Sequence, residues 1–350
     1  MNKNVLIIGT GTIGEPLIGL LADFRKKLNI GHVIFHKRTP LIDEVAKVNS
    51  LIKRGARLAV NEDMIPAFKD LGHNVKYDFQ TALKAAHVVI DCTPAGNKHK
   101  KEHYTKYPDK VFIAQGSEKD FGVPYAYGVN DEVLDKKPAF IQVVSCNTHN
   151  IASILCSIDR KINSIVRGDF VCIRRANDIS QEGSFIASPK IGRHDSEKFG
   201  THHAQDAYDL FRTKNKFVNI YSSALKVNSQ YMHIIRFNML VYGHISKENL
   251  INRFRENKFV ALTHKEIANK VFSFGRDHGY YGRIFNQTVI SIPSLITNCF
   301  PGKTQISGFC FTPQDGNSLL SSVAAALYGI YGEDYLSKMA IFDDFLFAEI

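Results

Sequence analysis

The sequence predicts two domains, an α/β domain on a parallel sheet followed by an α+β domain with a largely antiparallel sheet. Three observations predict this. Short continuous apolar runs alternate with helix-period segments through the first 140 residues, a glycine-rich turn follows the first of those runs, and after Ser145 the pattern changes to longer β-rich stretches. The chain has 350 residues, 44% of them apolar and 22% charged. That is ample for two cores, and it excludes a disordered, collagen-like or low-complexity protein.

Residues 5–8 are a β-branched apolar run, as expected of a strand buried on both faces. Residues 12–27 carry Ile13, Leu17, Leu20, Leu21 and Phe24 at helical spacing. Runs 33–35, 88–90 and 111–114 read as further buried strands, and 140–144 as the strand that closes the sheet. Between them 41–53 and 61–71 read as helices, the second interrupted by Pro66. Strands and helices in alternation imply right-handed crossovers. Farther on, 164–174, 217–221 and 231–241 suit an antiparallel sheet, and 288–311 is again β-like. Residues 150–158, 248–256, 264–278, 317–328 and 335–347 read as helical.

The six cysteines form no CxxC pair and no metal-ligand spacing. They are too sparse for a disulfide framework, so a reducing, cytoplasmic setting is expected, with no metal site. The N-terminal apolar run is four residues long, so neither a signal peptide nor a membrane span is expected. Forty-four basic residues against 34 acidic give a formal charge of +10. That charge fits either a solvated lysine-rich surface or attraction of anions, and the KHKK cluster at 98–101 does not decide between them.

Gly9, Gly11 and Gly14 form GxGxxG between the first strand and the first helix. Glycine serves three ends there: a tight turn, close approach of backbone to a pyrophosphate, and close helix–strand packing. The helix N-terminus adds unpaired N–H groups and a positive dipole. The first domain is therefore expected to be a Rossmann dinucleotide-binding domain. At the end of the second strand an NAD specialist places a carboxylate, whereas this chain reads His36-Lys37-Arg38-Thr39. Two cations and a hydroxyl suit a 2′-phosphate, which predicts NADP and/or NAD with NADP held more tightly; an ordinary exposed charged loop is the other reading.

Cys146 stands just after an apolar strand and before a helical pattern. A helix N-terminus stabilises a thiolate and so favours a nucleophile, whereas a cysteine taken alone is more often a small buried hydrophobe. Beside a dinucleotide domain it suggests aldehyde oxidation through a thioester.

The ordered set GTGTIG, HKRTP, DCTPAG (91–96), QGSEK (115–119), VVSCNT (143–148), RRANDISQ (174–181), THH (201–203), MH (232–233) and PQD (313–315) resembles the archaeal-type, or type II, glyceraldehyde-3-phosphate dehydrogenases over nearly the whole chain. The resemblance implies a Rossmann domain from residues 1–144 and about 314–350, with a catalytic domain at 145–313. It implies cofactor contacts at Thr12, Ile13, Gly116, Arg174 and Gln314, beside the glycines and Lys37, Arg38 and Thr39. It implies Cys146 as nucleophile, with Ser145, Asn147, His202 and His203 binding substrate and His233 as general base; the other reading of His233, among Tyr231, Met232, Ile234 and Ile235, is a satisfied core residue. The family often has a second histidine where this chain has Ile235. Glyceraldehyde 3-phosphate and inorganic phosphate are the implied partners, Arg174, His202 and His203 the donors for their phosphates, and a cytoplasmic homotetramer the implied assembly; no membrane or nucleic-acid partner is expected. The competing readings are another cysteine-dependent semialdehyde dehydrogenase and a non-catalytic dinucleotide- or nucleic-acid-binding regulator on the same scaffold.

Overall fold

A computed structural model describes residues 3–116, 118–177, 183 and 185–350. Ser117 of the QGSEK motif and residues 178–181 of RRANDISQ lie outside the described residues. The chain divides into two compact units. The first comprises Met1–Pro124, Glu132–Val143 and Ser321–Ile341, and the second Tyr125–Asp131, Val144–Leu320 and Phe342–Ile350.

The first unit carries β1 (Val5–Ile8), β2 (Val33–His36), β3 (Arg57–Val60), β4 (Val75–Asp78), β5 (Val88–Asp91), β6 (Val111–Gln115), β7 (Val123–Tyr125) and β8 (Phe140–Val143), in the order β4-β3-β2-β1-β5-β6-β8-β7. The pairs from β4 through to β8 are parallel. Helices α1 (Gly14–Phe24), α2 (Val45–Lys53), α3 (Ile65–Asp70), α4 (Phe79–Ala85) and α5 (Gly96–Glu102) connect them. Leu6, Ile8, Ile34, Val89 and Phe112 form a core whose strands are buried on both faces, which is why they read as unbroken apolar runs. The order reverses between β1 and β5, the switch point at which open α/β sheets take ligands.

The expected strands 5–8, 33–35, 88–90 and 111–114 are all present. The strand at 140–144 ends at Val143 and does not close the sheet, because β7 pairs outside it. Pro66 sits in the first turn of α3, where its missing N–H costs nothing, so the helix starts beside it.

The second unit carries β9 (Ile165–Arg174), β10 (Lys190–Ile191), β11 (Ile220–Lys226), β12 (His233–Tyr242), β13 (Val260–Thr263), β14 (Thr288–Ser291), β15 (Ile296–Phe300) and β16 (Lys303–Thr312), with α6 (Cys146–Ile158), α7 (His202–Arg212), α8 (Lys247–Glu256) and α9 (Ala268–His278). Its sheet runs β10-β11-β9-β12-β16-β14-β13, with β15 on β16. It is mixed: β9–β12 and β12–β16 are antiparallel, and β11–β9 and β13–β14 are parallel. Alternate residues of β12, from His233 through Ile235, Phe237 and Met239 to Val241, are buried. Ile151, Ile154 and Leu155 of α6, Leu210 and Phe211 of α7, and Leu250 and Phe254 of α8 complete that core. The expected strand at 217–221 lies at 220–226 instead, since Phe217 is 72% exposed and outside the ladder. The helix expected from 264 begins at Ala268. Toward the C-terminus stand two further α-helices, α10 (Leu319–Tyr331) and α11 (Tyr335–Met339).

Candidate active site

In the first unit the glycine loop leaves β1 with Gly9 at φ +94°, a conformation L side chains rarely adopt. A β-carbon at Gly14 would lie 2.1 Å from the Gly9 carbonyl oxygen, so this position serves helix–strand packing. A β-carbon at Gly11 would meet nothing within 4 Å. Open space over that backbone, with no side chain capping α1, fits a pyrophosphate laid against the helix N-terminus. Thr12 and Ile13 lie in the same turn.

The DCTPAG loop after β5 buttresses this turn. A β-carbon on Gly9 would reach the Thr93 methyl at 2.9 Å, and Cys92 N–H donates to the Ile8 carbonyl. Asp91 is fully buried. Its Oδ1 accepts from the Thr93 N–H and hydroxyl, and its Oδ2 takes the Tyr104 hydroxyl and His99 Nδ1, each at 2.7 Å. Burial works against the charge, but these bonds outweigh it and lower the carboxyl pKa. Sequence reasoning gave Asp91 no role beyond its motif; its partners lie up to 13 residues away.

Lys37 is buried, not presented on a loop. Its ammonium pairs with Glu44, which also receives Lys47. Both cations lower the Glu44 pKa against the opposing effect of burial. A carboxylate thus does stand by the end of β2, brought there by the turn before α2, where no strand-end pattern would reveal it. Arg38 and Thr39 are exposed. Gly116 follows β6, its N–H bonded to the Val143 carbonyl.

In the second unit Cys146 is the first residue of α6. Ser145 is the N-cap, its hydroxyl 2.9 Å from the Thr148 hydroxyl and accepting from the Thr148 N–H at 3.4 Å. The Cys146 carbonyl accepts from the Asn317 amide at 2.9 Å, which also donates to the Gln287 carbonyl. His149, one turn on, bonds the Ser145 carbonyl through Nδ1 at 3.0 Å, and burial lowers its pKa to about 4. Asn147 is buried with its Oδ1 unpartnered among the described residues.

His233 opens β12, on the face covered by the helices. The Arg175 main-chain N–H donates to its Nδ1 at 2.9 Å, the Gln314 carboxamide stands 2.8 Å from its Nε2, and Gln314 Oε1 accepts from its N–H. Arg175 in turn reaches Asp315 at 3.4 Å. His203 is the second residue of α7, only 3% exposed, and neither ring nitrogen has a hydrogen-bond partner among the described residues. The His202 ring stands 4.0 Å away, centroid to centroid. Burial, then the His202 and Arg174 charges, lower the His203 pKa to about 3. His233 is held well below 6.5 by burial first, then by Arg175, Arg174, His203 and Lys226. Cys172, beneath on β9, feels both Cys146 and Arg174. One guanidinium, the exposed Arg174, thus acts on Cys172, His203 and His233 alike.

The chain is 28% identical over 309 residues to the glyceraldehyde-3-phosphate dehydrogenase of Sulfolobus acidocaldarius, covering 84% of this chain and 83% of that one. It is 27% identical over 282 residues to the enzyme of that name from Thermoplasma volcanium, covering 77% and 78%. With that from Sulfurisphaera tokodaii it shares 24% over 302 residues, covering 84% and 83%. No family model matches the chain. Among the described residues no group of three or more His, Cys, Asp or Glu is placed to hold a metal, and no helix is long and apolar enough to cross a membrane.

Sequence reasoning overlooked His149, Arg175, Asp315 and Asn317. The pair Arg174-Arg175 was visible, but the His233 ring that the Arg175 N–H meets lies 58 residues away, and Asn317 reaches the Cys146 carbonyl across 171.

Proposed function

We propose that this chain is an NAD(P)-dependent oxidoreductase of the glyceraldehyde-3-phosphate dehydrogenase type, in which the first unit holds the dinucleotide and the second carries the chemistry. The observation that carries the reading is Cys146, placed by the Ser145 cap at the N-terminus of α6 in the same unit as Arg174, His203 and His233. The similarity to archaeal enzymes of that name, extending over most of the chain, supports it. Its finer part, that the enzyme is the archaeal phosphorylating type and works as a cytoplasmic homotetramer, belongs to the same proposal.

Bound at the Gly9–Gly14 turn, with Lys37, Arg38, Thr39, Gly116, Arg174 and Gln314 as further contacts, the dinucleotide would supply a hydride acceptor. The sulfur of Cys146 adds to the aldehyde carbon of glyceraldehyde 3-phosphate, and the α6 N-terminus favours its anionic form. Ser145 and Asn147 flank the adduct, and Arg174 and His202 offer cationic or N–H donors to phosphate. His233 takes the hydroxyl proton as the hydride leaves, giving a thioester on Cys146. Inorganic phosphate attacks the thioester carbonyl, the C–S bond breaks, and 1,3-bisphosphoglycerate departs with the thiolate restored.

The test is reduction of each dinucleotide by the purified protein with glyceraldehyde 3-phosphate, with and without phosphate. Turnover that depends on phosphate is expected. Tight RNA binding without dinucleotide reduction would favour the regulator reading.

A further inference from the structure

We propose that the cavity at the amino ends of β6 and β8 binds a linear aliphatic polyammonium ion, independently of the dehydrogenase reading above. The cavity encloses about 290 Å³ and lies wholly within the first unit. Its walls come from residues 108–111 at the start of β6, residues 134–139 before β8, and the end of α10 with the turn that follows. The sheet is parallel from β1 through β5 and β6 to β8, so the glycine turn after β1 stands at the opposite, carboxyl ends of the strands. Strands of four and five residues at about 3.3 Å each put roughly 13–17 Å of sheet between the two. The dinucleotide site therefore does not account for this cavity.

Its charge is acidic, on a chain of formal charge +10. Asp109, Asp135 and Glu333, from three separate segments, line it; all three are exposed, and none is ion-paired among the described residues. Of the two lysines in the wall, Lys110 donates to the Lys84 and Ala86 carbonyls, and Lys137 is exposed and makes no ion pair among the described residues. The second observation is Tyr328, which also lines the cavity. It is 7% exposed, its ring stands edge-on to Tyr335 at 6.2 Å, and its hydroxyl has no hydrogen-bond partner among the described residues. Burial first, then the Asp135 and Glu333 charges, raise its pKa above the ordinary 10, so the phenol stays protonated in the field of both carboxylates. A buried phenol normally satisfies its hydroxyl. An ammonium, with three donors and no acceptor, serves the phenol oxygen and a carboxylate at once. The carboxyl end of α10, negative by its helix dipole, adds to the attraction. A single metal ion fits poorly, since no three His, Cys, Asp or Glu converge as ligands among the described residues. Carboxylates set apart, with Val111, Leu134 and Pro138 in the same wall, suit several ammonium groups joined by methylenes that lie on apolar surface. A volume at the small end of ligand pockets suits a molecule of that size.

Calorimetric titration of the full chain with spermidine tests this, beside hexaamminecobalt(III) as a compact ion of the same charge. Wild type should bind one spermidine, about ten-fold or more tightly than it binds the compact ion. Asp135→Asn and Glu333→Gln should each weaken spermidine by about ten-fold, the size of one lost charge-assisted contact. Tyr328→Phe, which removes only the hydroxyl, should weaken it several-fold, and Lys137→Ala should tighten it by removing a competing cation. Dinucleotide affinity should stay within about two-fold in every variant, because that site lies at the other ends of the strands. No binding of millimolar spermidine by wild type overturns the proposal. Equal binding of the two ions, or full-strength binding by Tyr328→Phe, overturns it as well, as the mark of a diffuse acidic surface. If Tyr328→Phe melts too low to titrate, Asp135→Asn and Glu333→Gln decide, and losses under about two-fold in both overturn it. A protein that binds spermidine but reduces no dinucleotide upholds this proposal and overturns the dehydrogenase reading; one that reduces dinucleotide but binds no spermidine overturns this proposal alone.

Discussion

The main-chain N–H of Arg175 donates to Nδ1 of His233, 58 residues away, at 2.9 Å. This bond makes Nδ1 an acceptor in a ring that burial and two neighbouring arginines already keep neutral. The expected outcome is an imidazole that is neutral at neutral pH and takes up a proton only well below the ordinary 6.5. Nitrogen-15 chemical shifts of the labelled ring read this directly. An Nδ1–H tautomer, or a midpoint near the ordinary value, would contradict the geometry.

Replacing Cys146 with Ser should abolish turnover and leave dinucleotide binding intact, because an alcohol stays protonated at neutral pH. Iodoacetate should label Cys146 of the wild type first, then the exposed Cys299. Cys92, Cys172 and Cys310 should be spared, since burial raises all three thiols, Cys310 to about 12. Peptide mass mapping gives the order of modification. Retained activity in the Ser variant, or first labelling elsewhere, contradicts the assignment.

The glycine loop separates packing from binding. Gly14→Ala should fail to fold or melt far lower, its methyl being forced onto the Gly9 carbonyl. Gly11→Ala should melt within a few degrees of wild type, since its methyl enters open space, yet lose dinucleotide affinity by about ten-fold or more, a steric loss on the order of 1.4 kcal/mol. Thermal melts with fluorescence titrations distinguish the two. Unchanged affinity in Gly11→Ala would mean the space is not where a pyrophosphate lies.

If the loop after β2 reads the 2′-phosphate, cofactor choice should turn on Glu44 as much as on Lys37. Lys37→Ala should weaken NADP about ten-fold or more, from one charge-assisted contact of about 1.5–3 kcal/mol, and leave NAD nearly unchanged. Glu44→Gln should tighten NADP several-fold by releasing Lys37 and Lys47 and removing a repelling carboxylate. Titration of both dinucleotides decides this, and equal changes for the two would show that neither residue reads the 2′-phosphate.

Acid should destabilise the fold earlier than its carboxylates alone require. His36, His149 and His203 are held by burial at about 4, about 4 and about 3, below the ordinary 6.5. Below 6.5 the unfolded chain binds protons that the folded chain does not, so stability falls with pH from 6.5 towards 4, by up to about 1.4 kcal/mol per unit for each ring. Denaturant midpoints across that range should drop, and His36→Gln should lessen the slope. A flat profile would contradict the neutral burial of these rings.

The sequence made legible what local pattern encodes. The strands 5–8, 33–36, 88–91 and 111–115 stand out because burial on both faces demands unbroken apolar runs. β4 (VKYD) was invisible because none of its residues is buried, and α5 (GNKHKKE) because it reads as a charge run. The start of α6 was placed four residues late, since Asn147, Thr148, His149 and Asn150 are buried polar groups that break the apolar period while serving the site. The glycines, Cys146 and the histidines were found by type and context. The pinning of His233, the orphaned nitrogens of His203 and the burial of Lys37 under Glu44 arise from contacts between distant elements, which no local window contains.

The central claim is that aldehyde oxidation passes through a thioester on Cys146. Mixing the protein with glyceraldehyde 3-phosphate and oxidised dinucleotide, withholding phosphate and quenching in acid should trap the intermediate for intact-mass and peptide analysis. The account predicts a 3-phosphoglyceryl adduct on the Cys146 peptide, formed with one equivalent of reduced dinucleotide and discharged on adding phosphate. Reduced dinucleotide without an adduct, or an adduct on another cysteine, would contradict it.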